Sequence, residues 1–175
     1  DSLYNSWVYA QNRYASLRLR FGWDEQIIQI IDVHGELNWE YLDLSAESEE
    51  QQLLHIKQIQ SRDRENRYDL TSGSLFRVYL LKKSEDRYIC LLSCHHAILD
   101  GWSIPILVNY IHDVYLDLLD KKIPDPSIHY SYEWAQKYLQ EHCQLANSYW
   151  QKKMEMVSEY ADLTGLAKYN RSRMP

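Results

Sequence analysis

Residues 94–103 read CHHAILDGWS, which places two adjacent histidines, an aspartate and a glycine directly after the apolar run RYICLLSC. The run has the composition of a β-strand, and Ser103 followed by Pro105 is typical of the N-cap and first turn of a helix. The stretch is therefore predicted to lie where a strand ends and a loop leads to a helix. Neighbouring strand residues point to opposite faces, so we expect at most one histidine to face a cleft.

The residue types in this stretch suggest three interpretations, of which the first two stay open. An imidazole can take up a proton near neutral pH, so His96 could serve acyl transfer, with Asp100 either orienting the ring or pairing with an arginine. His95 and His96 could equally be hydrogen-bonded core residues without chemistry. A metal site needs three or four ligands, and only His96 and Asp100 are conveniently placed together, so no metal is predicted.

The periodicity of apolar residues predicts the elements around this stretch. Helices are predicted at 3–14, 48–64, 103–118, 131–142 and 145–160, and strands at 17–21, 25–32, 37–44, 74–83 and 87–94, with turns at 22–24 and 84–87. The strand at 87–94 is apolar on both faces and is predicted to be central in its sheet. This order of elements predicts an α/β sandwich, in which helices pack on a mostly antiparallel sheet.

Composition narrows the class of protein. The chain has 175 residues, 45% of them hydrophobic, which suits one domain with its own core. The formal charge of -6 and the absence of a basic tract argue against nucleic acid as a partner. We find no signal peptide and no apolar stretch of about 20 residues, so the sequence predicts a soluble protein without a membrane span. Cys90, Cys94 and Cys143 form no Cys-x-x-Cys pair, which favours a reducing cytoplasm.

The heptapeptide 95–101 resembles the His-His-x-x-x-Asp-Gly signature of nonribosomal peptide synthetase condensation domains, relatives of chloramphenicol acetyltransferase. Further segments are similar to family segments in the same order: NRYASLRLRF (12–21), RYDLTSGSLFRVYLL (67–81), WSIPILVNYIHDVY (102–115), SYEWAQKYLQ (131–140) and SYWQKKM (148–154). The chain departs from the family pattern at Tyr14 and Leu19, and it has Tyr68 in place of Phe and Ser74 in place of Pro. The resemblance runs over nearly the whole chain.

The resemblance implies two residues for catalysis. His96, the second histidine, is implied to face the reaction channel, as a general base or as a group that positions the amine. Gly101 is implied to leave room for the substrate thioester or to present its N–H to it.

The resemblance also implies structural roles beside the reacting groups. Asp100 is implied to form a salt bridge with an arginine of the upstream segment, Arg13 as first choice and Arg18 as second. His95 is implied to support the turn.

The resemblance further implies the fold and the reaction. The fold is a chloramphenicol acetyltransferase-like two-layer sandwich, and residues 1–175 correspond to the N-terminal lobe of a two-lobed domain, without its first strand and without the C-terminal lobe. The reaction is peptide-bond formation between aminoacyl or peptidyl thioesters on the phosphopantetheine arms of carrier proteins, with no bound cofactor. The segment 95–107 is most similar to the class with a D-configured donor. The partners implied are carrier proteins, the second lobe and neighbouring synthetase domains, and the lobe alone is expected to have little activity.

Two alternatives remain open. One is a non-catalytic module of the same fold that docks carrier proteins, and the other is a free-standing acyltransferase that uses an acyl-CoA. A heterocyclisation domain would carry aspartates in place of His95 and His96. An epimerisation domain usually departs from the Asp-Gly-Trp-Ser order found at 100–103.

Overall fold

The computed structural model describes residues 1–23, 25 and 27–157. Contacts divide the chain into two units, Asp1–Glu133 and Trp134–Pro175. The helices are α1 (Ser2–Arg13), α2 (Glu49–Glu65), α3 (Ser103–Leu119) and α4 (Ser131–Met154), and the strands are β1 (Leu19–Trp23), β2 (Ile27–Ile31), β3 (Asn38–Asp43), β4 (Phe76–Lys82) and β5 (Tyr88–Cys94). In these described ranges, no helix is both long and apolar enough to cross a membrane.

The strands of the described residues form one two-stranded and one three-stranded sheet. β1 and β2 make an antiparallel hairpin in which Leu19 lies opposite Ile31. β3 runs parallel to β4, with Asn38 opposite Arg77, and β4 runs antiparallel to β5. The predicted α/β class is confirmed, and antiparallel pairing predominates.

The centre of the three-stranded sheet is β4, so the prediction that 87–94 is central was wrong. Within the described residues β5 pairs with β4 alone. It is apolar on both faces for another reason, because each face packs on a hydrophobic cluster. Ile89 and Leu91 pack beside Ile59 of α2, whereas Leu92 and Cys94 pack on the main core.

Helices cover both faces of this sheet. One face carries Tyr79 and Leu81, which pack with Ile59 of α2, and this confirms that the predicted helix at 48–64 covers one side of the sheet. The ring of Trp7 from α1 stacks on Phe76, at 6.1 Å between ring centroids. The main core joins α1, β4, the loop after β5 and α3 through Trp7, Ala10, Leu17, Leu19, Leu75, Phe76, Val78, Ile98, Leu99, Leu107 and Ile111.

The first predicted strand, 17–21, begins later than expected. Ala15–Arg18 forms a 3₁₀ turn, and β1 starts at Leu19. The buried Arg18 side chain at the end of this turn donates to the carbonyls of Gln11 and Asn12 near the end of α1. The turn predicted at 22–24 was wrong for Gly22 and Trp23, which belong to β1, and Asp24 lies outside the described residues.

The last two predicted helices form one continuous helix in the structure. α4 runs without interruption from Ser131 to Met154, where we expected separate helices at 131–142 and 145–160. Residues 142–146 contain neither glycine nor proline, so the backbone has no reason to break there. Residues 158–160 of the second predicted helix lie outside the described residues.

Candidate active site

The stretch 95–102 is a short loop between β5 and α3 with fixed ends. The amide of His95 donates to the carbonyl of Leu75 at 2.8 Å, which continues the pairing of β5 by one bond, and Ile98 N–H donates to the His95 carbonyl at 3.1 Å. Ile98 and Leu99 are 6% and 7% exposed and belong to the main core. Burial of an aliphatic side chain stabilises the folded protein by about 1.5–3 kcal/mol, so these two residues attach the loop to the main core.

His95 is half-buried, and its ring is committed to the loop itself. Its Nδ1 accepts a hydrogen bond from the amide of Ala97 at 3.1 Å. A nitrogen that accepts carries no proton, so the neutral ring has its proton on Nε2. The ring also meets Tyr68 edge to face, at 6.2 Å between centroids and 85° between planes.

His96 is exposed on the surface of the loop. The two neighbouring histidines therefore differ as strand alternation predicts, one turned toward the protein and one toward solvent. The reaction channel that the resemblance implies in front of His96 stays a prediction.

Asp100 is exposed and caps the helix that follows. Its Oδ1 accepts from the amides of Trp102 and Ser103 at 3.1 and 2.7 Å, and from the Ser103 hydroxyl at 2.6 Å. These hydrogen bonds, led by that of the Ser103 side chain, lower the pKa of Asp100 below its ordinary value. Ser103 is the first residue of α3 and donates to Asp100, so the prediction that Ser103 is the N-cap was wrong.

The predicted ion pair between Asp100 and an upstream arginine is absent from the described residues. Arg13 donates to the carbonyl and hydroxyl of Ser127 at 3.0 and 2.8 Å and pairs with Asp125 at 3.7 Å. Its guanidinium also lies 4.9 Å from the centroid of the Tyr110 ring. Arg13 thus ties the end of α1 to the segment before α4.

Arg18 is 8% exposed and binds main-chain carbonyls instead of a carboxylate. It donates to Gln11 at 3.0 Å and to Asn12 at 3.4 Å, both near the end of α1, and to Asp32 and Val33 after β2. The aspartate beside it is already paired, because Arg20 holds the Asp32 carboxylate through Nε at 3.0 and 3.1 Å. Arg18 therefore joins α1 to the β1–β2 hairpin and is not available to Asp100.

Gly101 is exposed, and a Cβ built on it would meet no atom within 4 Å. Its φ lies outside the left-handed region, where only Gly73 among the described glycines is found. Neither packing nor backbone conformation therefore requires glycine at this position. The open space agrees with the room that the resemblance implies for a substrate.

A cavity of about 290 Å³ lies beside the loop. Its lining includes the apolar residues Leu17, Leu99 and Leu107 and the polar residues Ser103 and His129. The cavity and the Asp100 cap therefore share Ser103. An apolar side chain of moderate size fits such a space.

Sequence reasoning missed a polar cluster under the sheet, which we call the Asp63 cluster: Asp63, Tyr68, Arg77, Tyr79 and Ser93. Asp63 Oδ1 accepts from Arg77 Nη1 at 2.9 Å and from Tyr79 OH at 2.7 Å, and its Oδ2 accepts from Ser93 Oγ at 2.5 Å. Tyr68 OH lies 2.8 Å from Ser93 Oγ. An arginine inside the apolar run LFRVYLL was the available signal, because a charge in a central strand needs a partner.

Comparison with known proteins places this arrangement in a family. The family model for the condensation domain matches residues 1–173. The N-(5-amino-5-carboxypentanoyl)-L-cysteinyl-D-valine synthases of Amycolatopsis lactamdurans and Penicillium rubens are each 38% identical, over 93% and 95% of this chain. The chain belongs to the condensation domain family.

The fold comparison agrees. The crystal structure of the starter condensation domain of rhizomide synthetase RzmA superposes with a TM-score of 0.73 at 21% identity, over 91% of this chain and 41% of that one. The fold is accordingly the chloramphenicol acetyltransferase-like fold of condensation domains. The chain spans only 4% of the length of each of the two curated synthases.

Proposed function

We propose that this chain forms part of a domain that joins two thioester-bound aminoacyl or peptidyl groups through a peptide bond. The observation that carries the proposal is the contrast between the two histidines of the loop. His95 is half-buried and bonded to its own turn, whereas His96 is exposed on a loop whose neighbours Ile98 and Leu99 are anchored in the core. A rigid loop that presents one imidazole to solvent suits a group that acts on a bound substrate.

In this reaction the acceptor amine attacks the donor carbonyl carbon, the C–N bond forms, and the C–S bond of the donor thioester breaks. His96 accepts a hydrogen bond from the attacking amine and takes its proton, which ends on the departing thiolate. Thioesters are already activated, so alignment of the two ends supplies a large share of the rate. None of these steps needs a resident cofactor.

Gly101 and Asp100 support His96 in different ways. The space beside Gly101, two residues before α3 begins, admits the thioester. Asp100 accepts from Ser103 and Trp102, so it fixes the helix start and does not orient an imidazole as in a triad. The cavity next to Ser103 receives an apolar substrate side chain.

The substrates are carried on the phosphopantetheine arms of carrier proteins, and the channel is completed by the remainder of the condensation domain. The donor has the D configuration, as predicted from residues 95–107. Neighbouring synthetase domains supply both thioesters. A reducing cytoplasm suits the three free thiols, Cys90, Cys94 and Cys143.

The decisive experiment uses the full-length polypeptide that contains this chain, with carrier-bound L- and D-donors and with the matching coenzyme A thioesters. His96→Ala is expected to lower the rate of peptide-bond formation by about 10²–10⁴-fold, the usual contribution of a general base, with an unchanged melting temperature. An unchanged rate would indicate a docking module instead. Preference for coenzyme A thioesters would indicate a free-standing acyltransferase, and preference for the L-donor would contradict the stereochemical assignment.

A further inference from the structure

Tyr68 lies in the irregular segment between α2 and β4, so no helix or strand fixes its side chain. Three contacts do so instead. Its hydroxyl is bonded to Ser93 Oγ at 2.8 Å, the guanidinium of Arg77 lies 4.0 Å from its ring centroid, and its ring meets His95 edge to face. The ring therefore bridges the Asp63 cluster and the loop that carries the histidines.

The direction of the hydrogen bonds in the cluster follows from the number of protons. Ser93 has one hydroxyl proton, and it is donated to the Asp63 carboxylate. Ser93 Oγ can then only accept from Tyr68, so protons are donated from Tyr68 to Ser93 and from Ser93 to Asp63. Burial raises the pKa of Tyr68, which keeps its hydroxyl protonated, as its role as hydrogen-bond donor to Ser93 requires.

Asp63, the final acceptor in this series of hydrogen bonds, is held in place by a buried ion pair. Arg77 and Asp63 have side chains that are 8% and 13% exposed and form an ion pair at 2.9 Å. Arg77 also donates to the carbonyl of Asn66 at 2.8 Å, which ties the end of α2 to the central strand. Buried, fully bonded networks of this kind have one preferred geometry.

We propose that Tyr68 is a positioning residue for His96: the Asp63 cluster holds the Tyr68 ring, the ring holds His95, and His95 shapes the turn that presents His96. The effect passes through the hydrogen bond from Ala97 N–H to His95 Nδ1. A His95 ring that rotates loses this bond, and the backbone at 96–97 gains freedom. The proposal rests on the proposed role of His96 in peptide-bond formation.

Tyr79 provides the matched control. Its hydroxyl also donates to Asp63, at 2.7 Å, so Tyr79→Phe and Tyr68→Phe each remove one hydroxyl from the same cluster. The two rings differ in position, since Tyr79 packs with Leu81 and Ile59 on the α2 side of the sheet and Tyr68 packs on the main core and His95. A purely structural role of the cluster predicts equal effects of the two changes on the loop.

The test compares Tyr68→Leu, Tyr68→Phe and Tyr79→Phe in this chain by ¹⁵N NMR of the imidazoles and by hydrogen exchange of the Ala97 amide. In Tyr68→Leu, the His95 spectrum should change from the single Nε2–H tautomer to a mixture. Ala97 exchange should accelerate about 2- to 10-fold, the equilibrium equivalent of one aromatic pair. Tyr68→Phe keeps the ring and should fall between Tyr68→Leu and the parent. Tyr79→Phe removes a hydroxyl from the cluster but leaves the contact between Tyr68 and His95, so it should change both measurements least.

The same variants in the full-length polypeptide should separate kcat from KM. Tyr68→Leu should lower kcat about 2- to 10-fold with KM for the carrier-bound substrates unchanged, and Tyr79→Phe should lower kcat less than Tyr68→Leu does. Parent-like His95 signals and kcat in Tyr68→Leu would overturn the inference, as would equal effects of Tyr68→Phe and Tyr79→Phe. If His96→Ala were fully active while Tyr68→Leu still altered the His95 signals, the contact to His95 would stand and the proposed function would fail.

Discussion

The Asp100 carboxylate receives both the amide and the hydroxyl hydrogen of Ser103 on one oxygen, Oδ1, at 2.7 and 2.6 Å. We therefore expect Asp100→Ala to lower the melting temperature and to loosen the first turn of α3. Asp100→Asn should have the smaller effect, because asparagine is also a good N-cap. Melting curves and hydrogen exchange of the Ser103 amide measure both, and an ion pair with an arginine would instead make Asn as damaging as Ala.

Arg18→Met tests whether Arg18 stabilises the fold through main-chain carbonyls, without an ion pair to Asp100. The substitution keeps the length of the side chain but leaves main-chain carbonyls of Gln11 and Asp32 without their donor. Each lost hydrogen bond from a charged group costs about 1.5–3 kcal/mol, so the free energy of unfolding should fall by at least that amount. Urea denaturation measures it, with Asp100→Asn in the same background as a check that the two effects simply add.

Asp63→Asn should destabilise the protein because it leaves the Arg77 charge buried without its partner. We expect a loss of about 3–5 kcal/mol in the free energy of unfolding. Asp32→Asn is the matched control, since the Arg20–Asp32 pair is 37% exposed on both sides and should contribute less than about 1 kcal/mol. Equal losses in the two variants would contradict a buried role for Asp63.

The same aspartate predicts a pH dependence. Burial alone would raise the pKa of Asp63, but hydrogen bonds from Ser93, Tyr79 and Arg77 outweigh it and hold the pKa below its ordinary value of 3.8. The stabilisation is therefore complete above pH 3.8 and is lost as the pH falls through the lower pKa of the folded state. Stability measured from pH 5 downward should fall less steeply in Asp63→Asn than in the parent; parallel curves would refute this assignment.

Gly101→Ala separates folding from function. Because the added methyl group meets open space, the free energy of unfolding should be unchanged or rise by up to about 1 kcal/mol. Peptide-bond formation in the full-length polypeptide should nevertheless fall, since the methyl group would occupy the space in which we propose that the thioester binds. A fully active Gly101→Ala protein would show that the space is not used by substrate.

His95→Ala and His95→Asn test the role of the half-buried histidine. The alanine variant removes the acceptor of the Ala97 amide and should lower the free energy of unfolding by about 0.5–1.5 kcal/mol. Asparagine can place its side-chain oxygen near the position of Nδ1 and should recover most of this loss. Unchanged stability in both variants would show that the ring does not shape the turn.

The sequence was sufficient to predict helices and strands that are encoded by local signals. The helix predicted at 48–64 from its amphipathic pattern is an example, since α2 spans Glu49–Glu65 and begins with a capping box formed by Ser48 and Gln51. The alternation rule likewise separated His95 from His96. Such signals depend on neighbours within a few residues, which a sequence displays directly.

The partners of charged groups could not be predicted from local sequence signals. Arg18 and Asp100 are both suited to an ion pair, but the carbonyls that bind Arg18 belong to α1 and to the end of β2, and their convergence exists only in the folded chain. Ser103 was misassigned as a cap because Asp100, three residues earlier, competes for the same helix start. The Asp63 cluster draws on α2, β4 and β5, whose register no local pattern specifies.

The parallel pairing of β3 with β4 determines how this chain must assemble. β4 meets β5 across residues 83–87, whereas β3 can join β4 only after residues 44–75, with α2 among them, have closed a crossover. Pulse-labelled hydrogen exchange should therefore show protection in β4 and β5 before β3. Until β3 docks, one edge of β4 is unpaired. During synthesis, that edge is where strands of two nascent copies would pair and aggregate.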